Sequence, residues 1–330
     1  MRTPVARALA FEPRTRTLGA ARSLVAIAEL SALVFTSDTD LFPAVPNGPI
    51  GPRCDGLRAL SLWCADTSPA AQTVARLVTI AALVLAASGY RPRWTCIPQW
   101  YATFSLAAAM HVPNGGENVA RIVTLLLIPL CLADDRVWHW RRPDTPLPAW
   151  WSGASWITHW AVRVQVVVVY GQAVWIKLQE PEWRDGSAMH HVMQDAYFGT
   201  GSLLVPFADS ALLSPVITWG TILLESAIVI CVLGNSRSRR AALAFAVVLH
   251  GGIVLALGLV SFGLVMIGFV AAASSGRTEP QTRTKPNQLA LDAFTPAGRA
   301  AVQGRPNSAA VSPTAINSAG RSAPVRPRPR

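Results

Sequence analysis

The sequence predicts an all-α, polytopic membrane bundle of about eight transmembrane helices, followed by a disordered C-terminal tail. Three observations predict it. About half of the 330 residues are apolar and only 14% are charged, whereas soluble domains carry roughly a quarter charged residues. The apolar residues lie in runs of roughly 16–20, near the length a helix needs to cross about 30 Å of hydrocarbon. Basic residues gather at alternate ends of those runs.

The runs lie near 19–36, 72–89, 95–111, 117–133, 157–178, 211–233, 241–257 and 259–274. Residues 241–274 are too long for one crossing, and Gly258 and Ser261 mark the break; a re-entrant pair is the alternative there. The first run has no small-residue cleavage site leading into a soluble domain, so it reads as a span and not as a removed signal peptide. The expected organisation is a cytoplasmic basic N-terminus over 1–18, a transmembrane domain over 19–274 and a Pro/Ala/Arg-rich tail over 275–330. That tail has no apolar period and cannot bury enough apolar surface to offset its ordering entropy, so it is expected to be disordered. Its arginines are free to touch anionic lipid.

Loop charges fix an orientation. With the N-terminus in the cytoplasm, the inside segments hold Arg2, Arg7, Arg14, Arg16 and Arg22, then Arg91 and Arg93, then Arg136, Arg141 and Arg142, then Arg237, Arg239 and Arg240, and the basic tail. The outside loops hold Arg53, Arg58 and Arg184. This asymmetry follows the positive-inside rule, and an odd number of spans would put the tail on the wrong side. The expected location is therefore the cell membrane, with both termini cytoplasmic. The net charge of +11 does not argue for nucleic acid, because no basic, aromatic-interleaved module appears.

Cysteine placement agrees. Cys54 and Cys64 fall in the first outside loop, the compartment where disulfides persist, and are expected to pair; Cys96, Cys131 and Cys231 fall near inner ends of spans. Trp94, Trp100, Trp138, Trp140, Trp150, Trp151, Trp156 and Trp160 sit near predicted boundaries, where indole rings prefer the headgroup level. Residues 148–160 are expected to lie flat on the inner surface before the fifth span.

Ionisable groups in spans are costly and usually face the bundle interior. Those singled out are Arg76, Arg121, Arg163, Lys177, Glu225 and His250. In the fifth span Arg163, Tyr170 and Lys177 recur every seven residues, as do Gln165 and Gln172, so one broad polar face is expected. Depth, at about 1.5 Å per residue, predicts an Arg163–Glu225 pair with His250 nearby. Arg76, Arg121 and Lys177 lie near outer span ends, where a long basic side chain can simply snorkel. Lys177 among other cations is also a candidate base. His111, His190 and His191 lie on the outer side, but their spacing is not diagnostic of a metal, and no metal is expected. Phosphate-loop, nucleophile-elbow and zinc-protease motifs are missing.

The order of motifs resembles the sporulation-delaying protein B (SdpB) family, within the wider group that shares the HTTM membrane domain with vitamin K-dependent gamma-carboxylase. The pieces are Arg53-Cys54-Asp55-Gly56 with Ser61-Leu62-Trp63-Cys64, Ser88-Gly89-Tyr90-Arg91-Pro92-Arg93-Trp94, and Asn114-Gly115-Gly116-Glu117-Asn118. Then come Tyr170 with Lys177-Leu178, Trp183-Arg184-Asp185-Gly186, Trp219-Gly220-Thr221, Glu225, and His250-Gly251-Gly252 running into Leu259-Val260-Ser261-Phe262-Gly263. The resemblance spans roughly 15–275. It implies a membrane component that acts with a partner protein to produce a secreted antimicrobial peptide from a precursor.

The carboxylase side of the resemblance implies a membrane-embedded lysine base, here Lys177, and a quinol-type lipid as cofactor; Tyr170 and His250 are the other candidate catalytic residues. Otherwise no cofactor is expected. Two departures count against a complete carboxylase: about 55 low-complexity residues stand where the carboxylase has a large extramembrane region, and the fifth span continues into Gln179-Glu180-Pro181-Glu182. A small-molecule transporter is a further alternative, although no inverted repeat or paired broken helices are seen.

Overall fold

A computed structural model describes residues 4–43, 51–111, 113–195 and 210–278. Eight longer helices are present among them: α1 (Arg16–Phe35), α2 (Pro69–Ser88), α3 (Pro92–Ala109), α4 (Gly115–Leu132), α5 (Ala149–Gln179), α6 (Leu213–Val232), α7 (Ser236–Leu257) and α8 (Val260–Ser274). Their ends follow local chemistry. The Thr15, Ser68, Asn114 and Asn235 side chains accept N–H bonds in the first turns of α1, α2, α4 and α7, meeting donors that a helix start leaves unpaired. Gly89 and Gly258 close α2 and α7 in the left-handed conformation, and Gly258 makes the expected break in the 241–274 run.

Six of these helices are long and apolar enough to cross a membrane: α1, α2, α4, α5, α6 and α7. α3 and α8 depart from that pattern for different reasons. α3 carries Thr95, Gln99, Thr103 and Ser105, all buried in the bundle, so its polar side faces inward. α8 is short, with 15 residues, and nine of them are buried. α1 packs closely on it: a Cβ on Gly268 would stand 2.9 Å from the Ala21 carbonyl oxygen.

The core joins α1, α4, α5, α6, α7 and α8, and includes Val25, Val123, Val166, Ile228, Ala246 and Phe269. Many outward positions are apolar as well: Trp175, Leu223, Ile230, Val248 and Leu255 are all well exposed. In water so large an apolar surface would drive association; in lipid it is the correct solvent-facing surface, because each helix satisfies its own backbone bonds.

Several local expectations change. Residues 149–160 are not a separate surface segment but the first three turns of the 31-residue α5; within them Gly153 is the one helix breaker, and a single glycine is tolerated. The tail is ordered at its start, where Arg277–Thr278 pairs antiparallel with Phe11–Glu12. The rest of the expected disordered tail lies outside the described residues. The Cys54–Cys64 disulfide is formed, and the loop it closes rests on buried Trp63, which packs against Phe42.

Candidate functional site

The site begins at the C-terminal end of α5. Lys177 donates from Nζ to both carboxylate oxygens of Glu225 on α6, at 2.7 and 2.9 Å. Seven residues earlier on the same face, the Tyr170 hydroxyl lies 2.7 Å from Nε2 of His250 on α7. Tyr170 and His250 are almost fully buried. Phe262 at the start of α8 meets the His250 ring edge-on, and Trp183 covers Lys177 with its ring centroid 5.1 Å from Nζ. A cation above an indole face is attracted by its quadrupole.

Lys177, Glu225, Tyr170, His250 and Trp183 all line one cavity of about 370 Å³. The rest of its wall is mainly apolar, from residues such as Val119, Ile253, Phe262 and Met266. Three of the expected site residues, Lys177, Tyr170 and His250, therefore do come together.

The expected Arg163–Glu225 pair does not form. Arg163 donates from Nε to the Ala273 carbonyl at 3.3 Å and stacks over Trp160, 4.8 Å from its ring. Rise per residue misplaced α6 because the segment after α5 folds back along it. Gly186 accepts hydrogen bonds from the hydroxyls of Ser214 and Thr218, so the first turns of α6 lie level with the residues that follow α5. Glu225 then lies level with Lys177, not with Arg163. The broad polar face also narrows, since Gln172 is exposed.

The Trp183–Gly186 motif divides its roles. Trp183 enters the cavity wall. Asp185 accepts from the Ser187 amide and hydroxyl at 2.9 and 2.7 Å, which sets the turn. Gly186 has φ +88°, and a Cβ there would stand 2.8 Å from Pro215, so only glycine lets this turn touch α6.

Other polar residues are tied up structurally. Arg76 does not simply snorkel: its guanidinium pairs with Asp38 and caps the Leu33 and Thr36 carbonyls at the end of α1. Among the described residues no three His, Cys, Asp or Glu side chains converge to hold a metal ion, so His111, His190 and His191 build no such cluster.

Sequence reasoning missed a second buried polar layer. Arg22 donates to Gln99 Oε1 at 2.7 Å and Thr95 Oγ1 at 2.6 Å, tying α1 to α3. Glu29 is 2% exposed within α1; a lone carboxylate in an apolar run was the available signal. His139, in the α4–α5 loop, plugs the space beside Gly19 and Gly89, where any Cβ would collide with its ring. Burial, with Arg22 and Arg136 nearby, pushes its imidazole down to about 3.

Two curated relatives were found. An uncharacterized protein, YitO, from Bacillus subtilis (strain 168) is 32% identical over 263 residues, covering 78% of this chain and 84% of YitO. The sporulation-delaying protein SdpB from the same organism is 28% identical over 263 residues, covering 78% of this chain and 80% of SdpB. The chain belongs to this SdpB-like family. No family model matches the chain, and no solved structure matches it.

Proposed function

We propose that the chain is a multi-pass membrane component of a sporulation-delaying-type system that matures or exports a secreted antimicrobial peptide, and that the Lys177–Glu225 cavity is its working site. The observation that carries this reading is the similarity to SdpB over 80% of that protein's length. In this reading α3 and α8 complete eight crossings, both termini are cytoplasmic, and the disulfide-closed loop faces outside. The chain works with a partner protein and a peptide precursor, and it needs no cofactor. Deleting the gene in its host is expected to abolish secreted peptide activity while the precursor transcript persists. Unchanged activity overturns the proposal.

A second reading is favoured by one observation: Lys177 lies in the wall of an apolar cavity beside the Tyr170–His250 pair. It makes the chain a membrane enzyme, distantly like gamma-carboxylase in its membrane domain, that uses Lys177 as a base on a quinol-like or peptide substrate. Under this reading Glu225 takes the proton that Lys177 must shed before it can act, and Tyr170 and His250 orient the substrate. Lys177→Arg separates the two readings, because it keeps the charge and the pairing but removes a titratable base. Full activity of Lys177→Arg leaves the first reading alone; loss of activity with normal membrane insertion selects the second. A small-molecule transporter ranks third, with no observation of its own.

A further inference from the structure

The end of the bundle that carries the N-terminus of α1 holds a second cavity, of about 330 Å³. Three separate segments build it: Glu12 to Arg16, Arg141 to Pro143, and Arg277. Five arginines line it against one acid, Glu12. That acid is already committed, because Arg14 holds it through Nε and Nη2, both at 2.9 Å. Arg14 is 4% exposed and also reaches Asp135 and the Thr145 carbonyl. It is a structural tie and not a free cation.

The other four differ. Among the described residues Arg16, Arg141, Arg142 and Arg277 have no acidic partner. Among the described residues Arg16 bonds only the Trp140 carbonyl, through Nε at 3.1 Å, which leaves its Nη groups for a ligand. The loop that presents Arg141 is held in shape: Arg136 pairs with Asp134 and donates to the carbonyls of His139 and Arg141. The α1 N-terminus adds its own partial positive charge. Like charges held together by a folded scaffold repel, so the arrangement favours a counter-anion with several oxygens, which guanidinium forks bind well.

The level of the pocket says what that anion belongs to. Trp94, Trp138, Trp140 and Trp150 all lie at this same end of the helices and are exposed. Exposed indoles at helix ends mark the headgroup level, and basic pockets between spans there suit acidic headgroups. We propose that this cavity binds the phosphate of an anionic phospholipid headgroup, which cross-braces the N-terminal strand, the α4–α5 loop and the segment after α8.

The test uses the full chain, purified in neutral detergent, with phosphatidylglycerol, phosphatidylcholine and inorganic phosphate as probes. Retention of lipid in native mass spectrometry and thermal stability are the readouts. Phosphatidylglycerol is expected to be retained and to raise Tm, phosphatidylcholine to do neither, and millimolar phosphate to do neither. Arg141→Gln with Arg142→Gln is expected to weaken retention roughly thirtyfold, at about fivefold per arginine near an anionic surface. Arg53→Gln with Arg58→Gln, at the opposite end, is expected to leave retention unchanged. If the paired variant does not insert, Arg277→Gln alone replaces it. Equal retention of both lipids, or unchanged retention in the Arg141 and Arg142 variant, overturns the proposal. Phosphate that stabilises equally and displaces phosphatidylglycerol overturns the lipid assignment and leaves a free-anion site.

Discussion

Lys177 and Glu225 decide how the site behaves, because each is costly at that depth without the other. Removing one partner of a buried pair strands the remaining charge, at about 3–5 kcal/mol, whereas removing both is much milder. Lys177→Met and Glu225→Gln are therefore each expected to lower thermal stability in detergent strongly, and the double variant to recover much of the loss. Additive losses in a double-mutant cycle would mean that the 2.7 Å contact is not a working pair. His139 sets a pH dependence at the same scale. Its folded-state value of about 3 lies below the usual value near 6.5. The unfolded chain therefore binds a proton that the folded chain refuses, and stability falls as pH drops from about 6.5 toward 3. His139→Gln is expected to flatten that slope in a melting series, and an unchanged slope would place the effect elsewhere.

At the scale of elements, the connection after α5 positions the site. Pro181–Asp185 and Ala188–Gln194 form two short helices that fold back along α6, bonded to it through the Gly186 carbonyl and the Met189 amide. Gly186→Ala adds a Cβ at φ +88° against Pro215. The left-handed conformation alone costs about 1–2 kcal/mol. The variant is expected to insert but to lose the Trp183 cover over Lys177, visible as a red shift in Trp fluorescence relative to Trp183→Phe controls. The sequence carries the spans because their apolar runs have the membrane's length, and the α7–α8 break because Gly258 interrupts one. It carries Tyr170 and Lys177 as one stripe because seven residues return to the same face. It could not carry the partner of Glu225, since that depends on a fold-back between helices that no local period records. Nor could it carry the Arg22–Gln99–Thr95 layer, which joins residues more than 70 positions apart.

Across the described residues, the arrangement is a helical bundle with a largely apolar exterior, suited to lipid, that pairs Lys177 with Glu225 and Tyr170 with His250 inside. The loop between α1 and α2 is stapled by Cys54–Cys64. Cys54→Ser with Cys64→Ser is expected to cost on the order of 2–3 kcal/mol, as for other loops of this length, and non-reducing mass mapping of the native chain is expected to find the two linked. The cavity around Lys177 and Glu225 is the proposed working site of the chain in a peptide-producing system. The direct test is secreted antimicrobial activity from a deletion strain complemented with the native chain or with Lys177→Ala, membrane insertion being confirmed for both. The native chain is expected to restore activity, and Lys177→Ala, though inserted, is expected not to. Full activity from inserted Lys177→Ala would contradict that assignment.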